Sequence, residues 1–188
     1  EKRISVIAGD GYTEALSWGR RVRYGGLTIT RDYSLQPSVN TGSRSVLTDS
    51  VTLPSTVDLY VNGIKNSSQQ VSPGQFALST TPTFTGGGMA EVVITDINGR
   101  KRMVSLDVYG TQNILADGYH TESFSLGWLR ENYAETSFDY NSHLLLSGAW
   151  RYGVNNNLTL EAHTQMAQGR LMLGGAGLSW LTSPWTGI

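Results

Sequence analysis

Leu158-Thr159-Leu160-Glu161-Ala162-His163-Thr164-Gln165-Met166 alternates without a break over nine residues. Leu158, Leu160, Ala162, Thr164 and Met166 share one face, and Thr159, Glu161, His163 and Gln165 share the other. A period of two is the signature of a β-strand. The same pattern precedes it: Leu144, Leu146, Trp150 and Tyr152 lie on one side, opposite Ser147 and Arg151, and Gly153-Val154-Asn155-Asn156-Asn157 supplies the turn between the two. A hairpin closed there sets Arg151 nearly opposite Glu161, both on the polar face. Further upstream, Phe124, Leu126 and Trp128 line a strand opposite Ser123 and Ser125, and Leu171 to Trp180 forms a glycine-rich strand. Strands of about ten residues with an aromatic residue near one end suit a transmembrane β-barrel, apolar side to lipid and polar side to a lumen. They also suit an extracellular β-sandwich or a soluble antiparallel barrel, and alternation alone leaves these alternatives open.

Composition narrows the field. Only 15% of the 188 residues are charged, against roughly 25% in an ordinary soluble domain. A net charge of −1 argues against a nucleic-acid binder, which carries a basic stripe. The absence of cysteine excludes a disulfide framework, thiolate metal sites and cysteine nucleophiles. No apolar run is long enough for a transmembrane helix, and the mean hydropathy is −0.22. Alternating strands average to such a value, so a membrane barrel stays open. The chain begins without Met and without a signal segment and ends at Trp185-Thr186-Gly187-Ile188, which reads as an internal piece of a longer protein.

The middle third has a different texture. Val57, Leu59 and Val61 alternate with Asp58 and Tyr60, and Asn62-Gly63 follows, a pair suited to a type I′ hairpin turn because both turn positions need positive φ. Ile64 to Val71 returns, Ser72-Pro73-Gly74 turns, and Phe76 and Leu78 face one way. After Gly86-Gly87-Gly88, Ala90, Val92 and Ile94 alternate, Asn98-Gly99 makes a second hairpin, and Val104, Leu106 and Val108 return inward. Short strands at this spacing predict a small β-sandwich. Its predicted core is Val57, Leu59, Val61, Phe76, Leu78, Val92, Ile94, Val104 and Leu106. The chain thus divides into residues 1–49, 50–110 and 111–188.

No pattern carries catalysis, a cofactor or a metal. Gly86-Gly87-Gly88 lacks the Lys-Ser/Thr that completes a phosphate loop. His120, His143 and His163 fit no metal-ligand spacing, and no Gly-x-Ser-x-Gly elbow occurs. The charges that stand out are Arg20-Arg21-Val22-Arg23, in which Arg21 and Arg23 share a side. In a soluble protein this is a solvated face. In a barrel, arginine facing lipid at midplane costs about 2–4 kcal/mol, so Arg21, Arg23, Arg151 and Glu161 are expected to face the lumen or sit at strand ends. Asp58, Glu91, Asp96 and Asp107 of the middle third offer acidic partners.

Three stretches together carry a resemblance: Leu53-Pro54-Ser55-Thr56-Val57-Asp58-Leu59-Tyr60-Val61-Asn62-Gly63, then Gln70-Val71-Ser72-Pro73-Gly74-Gln75-Phe76, then Val93-Ile94-Thr95-Asp96-Ile97-Asn98-Gly99. They resemble the plug domain of bacterial fimbrial ushers of the chaperone–usher pathway. Gly9-Asp10-Gly11-Tyr12-Thr13 is similar to that family's Gly-Asp-x-x-Thr strand. Gly26, Asp32 and Pro37 match a second family segment, which departs at Gly25, Arg31 and Leu35. Trp150-Arg151-Tyr152-Gly153 before Leu158-Thr159-Leu160-Glu161 is similar to a recurrent usher hairpin.

The resemblance implies an all-β fragment of a Gram-negative outer-membrane barrel: strands before the plug in 1–49, an inserted immunoglobulin-like β-sandwich plug in 50–110, and strands after it in 111–188. It implies a pore that assembles and translocates pilus subunits, gated by the plug, with periplasmic chaperone–subunit complexes and outer-membrane lipid as partners, and no enzymatic activity. Asp49, Ser50 and Thr52 would form the incoming plug linker. Tyr109 and the flexible Gly110 would form the outgoing one, close to it in space. The rival readings are a secreted or surface β-sandwich binding module of adhesin type, and a barrel enzyme.

Overall fold

The computed structural model describes residues 3–33, 36, 39–81, 84–111, 113–169 and 171–182. Leu35 and Pro37 of the second family segment, and the terminal residues 185–188, lie outside the described residues. In chain order the strands are β1 (Ile4–Tyr12), β2 (Arg23–Arg31), β3 (Ser45–Val51), β4 (Ser55–Val61), β5 (Ile64–Val71), β6 (Gly74–Thr80), β7 (Gly86–Asp96), β8 (Lys101–Gly110), β9 (His120–Arg130), β10 (Tyr140–Asn155), β11 (Leu158–Ala167) and β12 (Leu171–Trp180). The chain divides into two units, one of Glu1–Thr41 with Asn113–Leu181, the other of Gly42–Gln112.

The second unit is a sandwich of a two-stranded sheet, β3-β6, and a four-stranded sheet, β5-β4-β7-β8. Its core comprises Val51, Val57, Leu59, Phe76, Leu78, Ala90, Val92, Ile94 and Val108. Val61, Val104 and Leu106, expected in that core, pack against it only partly buried, as does Leu47. Each fully buried aliphatic or aromatic side chain contributes roughly 1.5–3 kcal/mol, so a few such residues decide whether the sandwich folds. The β4–β5 turn has positive φ at both Asn62 (49°) and Gly63 (77°), as a type I′ turn demands. The β7–β8 turn solves the same problem with one more residue. Gly99 N–H donates to the Asp96 carbonyl at 3.0 Å, and of Asn98 and Gly99 only Gly99 has positive φ, 78°. The Asp96 carboxylate caps this turn by accepting from the Asn98 and Arg100 amides at 2.8 and 2.9 Å.

The first unit is one antiparallel sheet in the order β1-β2-β9-β10-β11-β12. β2 and β9 are neighbours although the whole second unit lies between them in sequence. Their connections are held together: Ala116 N–H donates to the Thr41 carbonyl at 2.8 Å. Tyr33 adds a hydroxyl bond to the His120 carbonyl at 2.9 Å and an edge-on ring contact with Tyr119.

Candidate functional site

Burial in the six-stranded sheet runs opposite to that of a soluble domain. Ser123, Ser125, Ser147, Thr159, Glu161, His163 and Gln165 are buried, whereas Leu27, Phe124, Leu126, Trp128, Leu144, Trp150, Leu160, Met166, Leu178 and Trp180 are exposed. Register explains why these sets segregate. Thr28 pairs Ser125, Ser125 pairs Ser147 and Ser147 pairs Gln165, while Leu27 pairs Leu126, Leu126 pairs Leu146 and Leu146 pairs Met166. One face is therefore a continuous apolar surface turned outward, the other a mostly polar surface into which Tyr24, Leu145 and Ala149 are also buried.

The polar surface is organised around Glu161. Arg151 and Glu161 are direct cross-strand partners, and Arg151 Nε donates to Glu161 Oε1 at 3.2 Å. Arg151 also donates through Nη2 to the Asn113 carbonyl at 2.6 Å, at the end of the connection from the second unit. The other carboxylate oxygen accepts from Trp18 Nε1 at 3.1 Å. Trp18 belongs to the β1–β2 loop, which reaches across the polar face to β11 and β12. It rests against His163, ring centroids 6.0 Å apart and nearly perpendicular. Its place on β12 is made by two glycines: a Cβ on Gly175 would come within 2.9 Å of the indole carbons, and one on Gly177 within 2.9 Å of the indole nitrogen. The backbone amide of Leu115 donates to the Thr159 hydroxyl at 2.8 Å, so the outgoing connection lies on the same face. His163 Nδ1 and Nε2 and Gln165 Nε2 are buried with no hydrogen-bond partner among the described residues. In a dry core each such group costs about 1–3 kcal/mol, so this face is not constructed as a dry core.

The structure distributes the other sequence-predicted residues differently. Arg23 opens β2 on the side of Leu27 and Ile29, the apolar face, because Tyr24, one residue on, takes the inward position at 2% exposure. Arg23 thus lies on the apolar side at a strand end. Arg21 precedes β2 in the loop and lies 3.9 Å from the Glu14 carboxylate. Asp49 and Ser50 are inside β3, paired with Phe76 and Gln75, rather than in a free linker. Arg102 ties Asp49 to β8 with a 2.7 Å ion pair. Thr52 follows β3 directly. Tyr109 and Gly110 close β8, paired with Gly87 and Gly86, and Gly110 is buried without positive φ. The chain passes between the units at Thr41–Gly42 and at Gln112–Asn113 instead. Of the four acids expected to meet the arginines, Asp58 is bound within its own unit to Lys65 at 2.9 Å and Ser68 at 2.5 Å, and Asp96 caps its turn. Trp18 was not legible as a site residue, since its partner Glu161 is 143 positions away.

Comparison with known proteins agrees with this architecture. The family described as outer membrane usher protein matches residues 3–188. The outer membrane usher protein FimC of Bordetella pertussis is 28% identical over 160 residues, covering 85% of this chain and 18% of that protein. The outer membrane usher protein SefC of Salmonella enteritidis is 26% identical over 166 residues, 87% of this chain and 20% of its own length. The chain therefore spans about a fifth of the curated relatives it matches. Among solved structures, the E. coli P pilus tip assembly intermediate PapC-PapD-PapK-PapG aligns over 95% of this chain and 21% of the matched one, with a TM-score of 0.51 and 20% identity, a likeness of fold.

Proposed function

The chain belongs to the outer membrane usher protein family, and from that premise we propose that its six-stranded sheet is part of the wall of a transmembrane β-barrel whose lumen is lined by the Glu161 face. The observation that carries the reading is the inverted burial of that sheet. Along β9 the outward residues run Glu122, Phe124, Leu126, Trp128, Arg130, so charges bracket an apolar stretch. At ~3.3 Å per residue the bracketed strand spans about 26 Å, less once tilted, the scale of the ~25 Å lipid-facing band of such barrels. A secreted binding module has no use for an exposed face of Phe, Leu and Trp of that extent.

On this reading the second unit is a plug inserted between two adjacent barrel strands. The whole protein is an outer-membrane pore through which pilus subunits, delivered by periplasmic chaperones, are assembled and exported. It contributes passage and positioning rather than catalysis. Arg151, Glu161 and Trp18 hold the β1–β2 loop and the outgoing plug connection against the wall. The test is removal of residues 42–112 from the full-length protein, with planar-bilayer conductance as the readout. A gate requires the intact protein to stay mostly closed and the deleted one to conduct freely. Equal conductance overturns the plug assignment.

A further inference from the structure

At one end of the outward face, the apolar surface gives way to a cluster that the pore reading leaves without a role. Arg23 and Arg130 both lie on the outward side, in register with Trp128 and Leu27. The Arg23 guanidinium sits between two tyrosine rings, 4.6 Å from the Tyr12 centroid and 3.3 Å from that of Tyr133, and Nη2 donates to the Tyr12 hydroxyl. Arg130 lies 4.8 Å from the Tyr140 ring centroid and 5.8 Å from that of Tyr133, and its Nη2 donates to the Thr136 carbonyl at 3.1 Å. Tyr140 reaches its place by lying across Gly25, whose absent Cβ leaves room for the ring, and it donates to Asp10 Oδ1 at 2.5 Å. Asp10 Oδ2 is 3.7 Å from Arg130 Nε.

The hydrogen bonds do not close. Arg130 has a side chain only 7% exposed, yet its Nε and Nη1, and Nη1 of Arg23, are buried without a hydrogen-bond acceptor. Ring faces attract the cations but leave these N–H edges uncapped. Two planar forks with spare donors, beside a ring of tyrosines at the edge of an apolar band, fit the geometry of a phosphate at the membrane interface.

The end of the barrel follows from loop length. The inserted second unit on the β2–β9 connection set aside, the 13–22 and 131–139 loops lie at the Arg130 end together with the short β11–β12 turn, whereas the other end has only the two-residue β10–β11 turn, residues 156–157. Long loops are extracellular and short turns periplasmic in such barrels. Resting on the barrel reading, we infer that Arg23 and Arg130, with Tyr12, Tyr133 and Tyr140, form a site for a phosphate group of an outer-leaflet lipid, the phosphomonoester of lipid A.

The experiment uses the full-length protein in detergent, incubated with lipid A, with enzymatically dephosphorylated lipid A or with inorganic phosphate, and read by native mass spectrometry. Wild type should retain lipid A. Arg23→Gln/Arg130→Gln should retain it at least about tenfold less, the order expected on removing charge-assisted contacts, and dephosphorylated lipid A should bind wild type at the variant's level. Equal retention by the variant, or by the dephosphorylated lipid, overturns the site. Phosphate that displaces lipid A at equal concentration makes it a free-anion site and overturns the lipid assignment. Heat-modifiable gel mobility reports barrel folding separately in wild type and variant. A variant that fails it is replaced by the single substitutions, and a wild type that fails to enter lipid vesicles overturns the barrel reading and this site together.

Discussion

Ala116 and Thr41 are joined by a backbone hydrogen bond of 2.8 Å, so the two connections to the second unit run side by side where they leave the sheet. An inserted unit with adjacent ends leaves the β2–β9 pairing undisturbed. Joining Thr41 to Asn113 through a two-residue glycine linker, in place of 42–112 of the full-length protein, should leave a barrel that still shifts between unheated and heated gel samples. Loss of the folded band would show that the second unit is needed to bring β2 to β9.

The two faces of β11 should respond oppositely to charge. Met166→Arg, in register with Leu146 and Leu126 at the middle of the apolar stretch, places a guanidinium on the outward face where the cost is about 2–4 kcal/mol at midplane, and should block membrane insertion. Glu161→Gln keeps the shape of the side chain and its bond to Trp18, and should insert normally. Equal insertion of both, measured by protease protection in outer-membrane fractions, would remove the lipid-facing assignment.

Glycine positions on β12 are not equivalent. Gly175→Ala or Gly177→Ala should unseat Trp18, because the new methyl would come within 2.9 Å of the indole. Gly174→Ala should not, since its Cβ would meet nothing closer than 3.9 Å. Amide exchange across residues 13–22 should accelerate in the first two variants and match wild type in the third.

Phe76 is a central member of the sandwich core. Phe76→Ala should cost roughly 3–5 kcal/mol, enough to raise exchange throughout β3 to β8 while the six-stranded sheet keeps its protection. A loss under about 1 kcal/mol would mean that Phe76 does not pack as described.

Asp58 gives the second unit a pH dependence. The hydrogen bond from Ser68, and then that from Lys65, hold its carboxyl below the ordinary range. A depressed folded-state value means that the contribution is present above the unfolded pKa and fades as pH falls through the folded one. Protection of β4 and β5 should be level between pH 7 and 5 and decline below about pH 4. Asp58→Asn should flatten that decline, and an unchanged profile would exclude Asp58 as its origin.

Much of the second unit was readable because its signals are local. Val57, Leu59, Phe76, Leu78, Val92 and Ile94 lie in the core at the positions their alternation gives. β3 was not readable: Ser45-Val46-Leu47-Thr48-Asp49-Ser50-Val51 looks like a polar linker, and only pairing with β6 and the Arg102–Asp49 contact makes it a strand. Val108 and Ala90 are fully buried members of the core, whereas Val104 and Leu106 pack against it only partly buried.

Alternation and turn chemistry alone make the chain all-β, make the 158–166 stretch and its neighbours two-faced strands, and set Arg151 opposite Glu161. Period-two alternation and short turns act within a few residues and need no distant partner. Which face is turned outward, and that Arg23 goes with it while Trp18 crosses to Glu161, was decided only by tertiary structure. Alternation divides a strand into two sides but does not say which side is covered. That follows from the register of β2 on β9 across the inserted unit, and from the room that Gly175 and Gly177 leave for an indole far away in sequence.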